Sequence, residues 1–187
     1  MNRPGPSQLQ NEISAPLAGV LVLALLVASV GCEGIAPRSK QAKRSHALMT
    51  RGRAVAAVEQ ERPGEKAKLE KAAGYAVIAS ATDMPYELPP GFGFGVVHDN
   101  SSGKNSFFLV VRHGADANVP VPTRVLVFDT QKALANFDQS ARAAKADTPA
   151  ALPRDADVQV FELLEAGGVE QGSAVDLRYW YDSDVGG

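Results

Sequence analysis

The chain has 187 residues, with 19 Lys and Arg against 21 Asp and Glu, and 6% of it is aromatic. A net charge of −2 excludes the strongly basic balance on which most nucleic-acid binding depends. Setting aside a leader of about thirty residues leaves material for one domain of ordinary size, roughly 100–150 residues.

The first element is an export segment. No charged residue lies between Ile13 and Val30, and Leu17 to Val27 has the apolarity and length of a signal h-region. Ala28-Ser29-Val30-Gly31-Cys32 follows, small residues suited to a peptidase pocket and ending in a sulfur able to accept a diacylglyceryl unit. The pattern predicts a lipoprotein signal over 1–31, a lipidated Cys32 and tether over 32–40, and a folded domain over 41–187. Ser29 stands where Leu or Val is commoner, and Arg3 is the only cation before the apolar run. Two other readings stay open: a cleaved secretory signal with a free thiol, and an uncleaved membrane helix. The latter needs about 20 apolar residues, and Ser14 and Pro16 shorten the run. The chain's single cysteine favours lipidation, because an unpaired thiol is a liability in an oxidising compartment. The expected location is a lipid anchor facing the periplasm, with the outer membrane favoured because Glu33 is no strong inner-membrane retention signal.

From Lys40 to about Glu61, Ala42, Leu48, Met49, Val55 and Val58 recur at helical spacing, opposite a polar face that carries Lys43, Arg44, Arg51 and Arg53. With Lys40, these cations are candidate contacts for anionic lipid headgroups, each contributing up to about 1 kcal/mol near a membrane surface. The same apolar stripe also suits a helix that covers a core. Pro63 and Gly64 interrupt it, and a second short helix runs from Glu65 to Ala73, with Gly74 as its expected stop.

Strands follow. Tyr75–Ala79, Gly91–His98 and Ser106–Arg112 are β-rich runs, and Asp99-Asn-Ser-Ser-Gly-Lys104 has the turn chemistry of a hairpin. In Gly91-Phe-Gly-Phe-Gly95 the alternation puts both rings on one face and packs the glycines under large neighbours. If exposed, Phe92 and Phe94 form a candidate lipid-contacting patch. Arg124–Phe128 is another strand, capped by Asp129 or Thr130 into a helix over Gln131–Ser140. The stretch over 141–155, rich in Ala and charge with Pro149 and Pro153, reads as a mobile connector. A strand over Val158–Leu164, a turn at Glu165–Gly168 and a strand over Ala174–Tyr181 close the chain. Trp180 points opposite to Tyr179 and Tyr181 and is expected in the core.

Catalytic chemistry finds no foothold. There is no Gly-x-Ser-x-Gly turn. Val96 stands where a dinucleotide loop needs its third glycine, and a strand follows instead of a helix. His46, His98 and His113 are scattered, although a hairpin brings His98 and His113 towards each other. Neither cofactor nor metal is expected.

Ala73-Gly-Tyr-Ala-Val77, Pro90-Gly-Phe-Gly-Phe-Gly-Val96, Asn100-Ser-Ser-Gly-Lys104, Val125-Leu-Val-Phe128 with Ala133-Leu134, and Leu177-Arg-Tyr-Trp-Tyr-Asp182 occur in the order seen in bacterial SYLF-domain lipoproteins, which the chain resembles from about Ser45 onward. That family is related to the phosphoinositide-binding domain of eukaryotic actin-associated trafficking proteins. The resemblance therefore implies lipid binding through a basic N-terminal part and a β-rich body. The chain departs from it at Arg112–Pro120, where many relatives carry a second glycine-rich strand, and at Asp138–Ala141, where Gly-Trp is usual.

Together these readings predict an α+β domain, with N-terminal amphipathic helices on a mostly antiparallel sheet or partial barrel. The expected function is a non-enzymatic, membrane-anchored module for anionic lipids. The alternative is a structural lipoprotein that engages another envelope protein.

Overall fold

The computed structural model describes residues 39–186, apart from residues 84, 115, 153 and 154. They belong to one compact unit, Pro37–Gly187. The stretch read as an export segment, and Cys32, lie outside the described residues.

Helix α1, Lys40–Glu61, starts at Ser39, whose hydroxyl accepts the Ala42 N–H at 3.1 Å, the usual N-cap arrangement. Its buried residues are Ala47, Ala54 and Val58, which fall on one narrow stripe. Pro63 opens helix α2, Pro63–Lys71; the proline tolerates that position because its missing N–H has no partner in a first turn. Gly74 does not cap α2 as expected. It begins strand β1, and it is glycine because a β-carbon there would collide with the His98 carbonyl. The cap comes from elsewhere: the Asn100 amide donates to the carbonyls of Leu69 at 2.8 Å and Ala72 at 2.9 Å.

Eight strands form one sheet: β1 Gly74–Ser80, β2 Phe92–Asp99, β3 Asn105–Arg112, β4 Arg124–Phe128, β5 Ala150–Ala151, β6 Val158–Leu163, β7 Val169–Gln171 and β8 Leu177–Tyr181. Their order is β5-β8-β3-β2-β1-β4-β6-β7, and every pairing is antiparallel. Helix α3, Gln131–Ala143, follows β4 and is capped by Thr130, whose hydroxyl accepts the Ala133 N–H. The α+β class therefore holds. Of the stretch read as a connector, Ala141 is buried within α3, Ala150–Ala151 pair with β8, and Leu152 is buried.

The sheet has a core on each face. Val77, Phe94, Val96, Phe107, Val125, Val127 and Phe161 pack against the apolar residues of α1 and α2. Ile78, Phe108, Val110, Leu126, Phe128, Leu177 and Tyr179 pack against Ala133, Leu134, Phe137 and Ala141 of α3. The glycines of β2 face the α3 side. A β-carbon at Gly93 would lie 2.6 Å from Val110, and one at Gly95 would fall on the Phe108 ring.

The sheet curls. Three strands separate β4 from β8, which in a flat sheet means about 19 Å at the standard spacing. Yet Arg124 of β4 reaches Asp176, next to β8, at 2.8 Å. Arg112, Arg124 and Glu162 share the strand face that carries α3, which is accordingly the concave side of a half-barrel. Helix α3 fills one end of that concavity and the charged residues close the other.

Candidate functional site

The five basic residues of α1 do not form one outward stripe. Helical spacing sets Lys43, Arg44 and Arg51 beside the buried residues Ala47, Ala54 and Val58 rather than opposite them. Arg44 donates to the Val185 carbonyl at 2.9 Å and lies over the Phe107 ring. Lys43 is 4.0 Å from the Asp184 carboxylate and sits over Tyr86. Arg51 bonds Asn105 and approaches His98 Nδ1 at 3.2 Å. Lys40 and Arg53 are exposed, Arg53 donating to the Met49 sulfur at 3.6 Å. Met49, expected on the apolar face, is 49% exposed. The expected apolar stripe does meet the core, through the buried Val58 and the partly buried Leu48 and Val55, but the basic residues do not lie opposite it: small residues, Ala47 and Ala54, let the helix approach the sheet closely, and long cations border the contact.

The start of α1 is clamped by the C-terminal turn. Asp182, itself buried, accepts the N–H groups of Asp184 at 3.0 Å and Val185 at 3.2 Å, and this turn carries Val185 into the core beside α1. Burial pushes the Asp182 carboxyl above its usual range, against the pull of those N–H groups and of Lys43. Tyr86 donates to the Lys43 carbonyl at 3.3 Å. Burial, and then the charge of Asp182, raise its hydroxyl well above the ordinary value.

Phe94 is 1% exposed, which removes it from any surface patch. Its ring stacks on Tyr86 at 4.5 Å and meets His46 edge-on at 5.2 Å under α1. Phe92, on the same strand face, is partly buried. Burial and the charge of Arg53 lower the His46 pKa, against an opposing effect of Asp83. Trp180 is also corrected: it is partly exposed and belongs to neither core, whereas Tyr179 is 1% exposed and donates to the Phe137 carbonyl. Burial first of all raises the Tyr179 hydroxyl to about 12.

His98 and His113 are at opposite ends of the hairpin. His98 pairs with Asn105 beside the turn, while His113 follows the far end of β3. Among the described residues, no cluster of three or more His, Cys, Asp or Glu is placed to hold a metal ion. No helix among them is long and apolar enough to cross a membrane. In the turn, Asp99 accepts from the N–H and hydroxyl of Ser101 and of Ser102 at 2.7–3.3 Å. These bonds, the serine hydroxyls foremost, hold its carboxyl at about 2.

At the other end of the half-barrel is a second polar cluster that the sequence did not announce. Arg124, whose side chain is 7% exposed, donates to Glu162 and to Asp176, each at 2.8 Å. Arg112 joins Asp176 at 3.1 Å and donates to the Pro120 carbonyl. Burial pushes the Asp176 carboxyl up, but the bond and charge of Arg124, with Arg112 behind it, outweigh this and the net direction is down. Two arginines hold Glu162 and Asp176 here, with the exposed Asp116 3.7 Å from Arg112 as a third carboxylate, an arrangement suited to fixing strand positions.

No family model and no curated protein matches the chain.

Proposed function

We propose that the chain is a lipoprotein anchored through Cys32, and that its folded unit is a non-enzymatic module that engages anionic membrane headgroups in the cell envelope. The observation that carries this reading is the position of Lys40, Lys43 and Arg44 in the first turns of α1, directly after the tether. From Cys32 to Ser39 the chain spans at most about 25 Å when fully extended. A lipid on Cys32 therefore keeps these cations close to the bilayer, where each adds up to about 1 kcal/mol of attraction to anionic lipid. The ordered resemblance of the motifs to SYLF-domain lipoproteins supports the same reading. Arg53 faces outward on α1, while Arg51 serves the hairpin and Phe94 the core.

A second reading, a lipoprotein that engages another envelope protein, is favoured by one observation. Lys43, Arg44 and Arg51 already have partners inside the domain, so they serve packing as well as charge. Co-sedimentation of the unit starting at Pro37 with neutral and anionic vesicles separates the two. Binding to anionic vesicles that weakens with salt, as the screening length falls from about 10 Å at 0.1 M, supports the lipid reading. No sedimentation with any vesicle rejects it in favour of the protein partner.

A further inference from the structure

We infer that the groove at the charged end of the half-barrel receives the outer flank of α1, at Met49 and Arg53, from a second copy of this chain. Among the described residues four large apolar side chains are exposed: Met49, Val119, Leu164 and Val175. Three of them gather at that end. Val119 and Leu164 line a groove of about 560 Å³ with Pro120, Pro122, Glu162 and Glu165, and Val175 adjoins Asp176, which Arg112 and Arg124 hold. The fourth, Met49, stands on α1 beside Arg53. Val119 and Pro120 come from the stretch where the chain departs from the SYLF pattern, so the groove does not follow from that resemblance.

Charge selects the occupant. From Lys40 to Lys71 nine residues are basic and four acidic, whereas from Asp155 to Asp184 eight are acidic and one is basic. The chain is thus basic on its first helices and acidic on its last strands, while its net charge of −2 leaves little overall repulsion between copies. At the groove, Arg112 and Arg124 are already engaged by Asp116, Glu162 and Asp176. Glu165 has no cationic partner among the described residues, and Glu170, directly opposite Glu162 in the β6–β7 pair, has none either. Like charges so placed repel, and a cation brought by a partner relieves this. Arg53 has no carboxylate partner among the described residues, and its guanidinium lies against the Met49 sulfur. An apolar tip beside an unpaired cation thus matches apolar walls beside unpaired carboxylates. The two patches are different surfaces on opposite faces of the sheet, so the contact is heterologous: each copy offers one patch and receives the other. A groove of this size holds one or two side chains, well short of the roughly 1,600 Å² of a standard interface, and the association is accordingly weak and reversible.

The test is sedimentation equilibrium of the Pro37–Gly187 unit, without lipid, from about 10 μM to about 1 mM, the range of weak complexes. The average mass should rise with concentration and fall back as salt screens the contact. Arg53→Glu and Glu165→Lys, both at exposed positions and checked by an unchanged melting temperature, should each weaken association by about tenfold or more, because each sets like charges against one another. The two substitutions combined in one chain restore an opposite pairing and should recover the mass increase. A unit that stays monomeric to about 1 mM overturns the inference and leaves the groove to a different occupant. Self-association that neither reversal weakens, or that the combined variant fails to recover, overturns it as well. With no vesicle present, each of these results leaves the headgroup reading to its own sedimentation test.

Discussion

The contact of Gly95 with Phe108 sets a sharp requirement on the sheet. In β2, Gly95 pairs with Phe108 of β3, whose ring lies across it. A β-carbon at position 95 would sit far inside the 3.4 Å at which ordinary contact begins, against three atoms of that ring. The ring has nowhere to go, because Phe108 is 2% exposed and is backed by Phe137 at 5.2 Å and Tyr179 at 6.0 Å. Overpacking typically costs about 1–3 kcal/mol, and Gly95→Ala is expected at or above the top of that range. Phe108→Ala alone removes the ring and costs about 3–5 kcal/mol. In the double variant the new methyl enters the space left by the ring, so the two losses should fall short of their sum by about 2 kcal/mol, within the span seen for touching residues. Urea unfolding followed by circular dichroism measures all four corners of the cycle. A Gly95→Ala protein within about 0.5 kcal/mol of the parent, or strictly additive losses, refutes the argument.

Asn100→Ala should cost about 1–3 kcal/mol by leaving the Leu69 and Ala72 carbonyls without their donor, and hydrogen exchange should show the loss concentrated in α2; uniform exchange across the domain counts against this. The Asp99 carboxyl should titrate near 2 in an NMR pH series, so the stability it lends is present above the ordinary carboxylate value and is lost as pH falls through about 2. A midpoint near 4 contradicts the serine bonds. Tyr179→Ala should destabilise by about 3–5 kcal/mol and Trp180→Ala by clearly less in the same urea assay, since only Tyr179 belongs to a core; the reverse order would show the two faces of β8 misassigned.

Much of the fold was legible from periodicity. The ends of α1, the hairpin β2–β3 and strand β4 follow directly from the spacing of apolar residues and the turn chemistry of Asp99–Lys104. Strands β5 and β7 were not visible, because two or three residues are too few to show an alternation. The candidate site was read less well, for a definite reason. Hydropathy weights Met49 heavily and alanine lightly, yet close helix-to-sheet packing selects Ala47 and Ala54, with Val58, for the buried stripe. That rotates the helix, so three of its cations border the sheet. Alternation placed Phe92 and Phe94 on one face but carried no information on whether a helix covers that face. The cap on α2 was hidden because Asn100 arrives from 28 and 31 residues downstream, beyond any local pattern. The charges of the concave end were individually visible, but only the curl of the sheet brings them together.

That charged end bears on the order in which the chain assembles. Arg124 meets Glu162 across 38 residues and Asp176 across 52, so its bonds close long loops, whereas β2 and β3 pair across a short turn. Contacts that form after the transition state, when strengthened or weakened, change the rate of unfolding far more than the rate of folding. If the hairpin forms first and the arginine-linked rim last, Arg124→Met should speed unfolding of the half-barrel and leave its rate of folding almost unchanged.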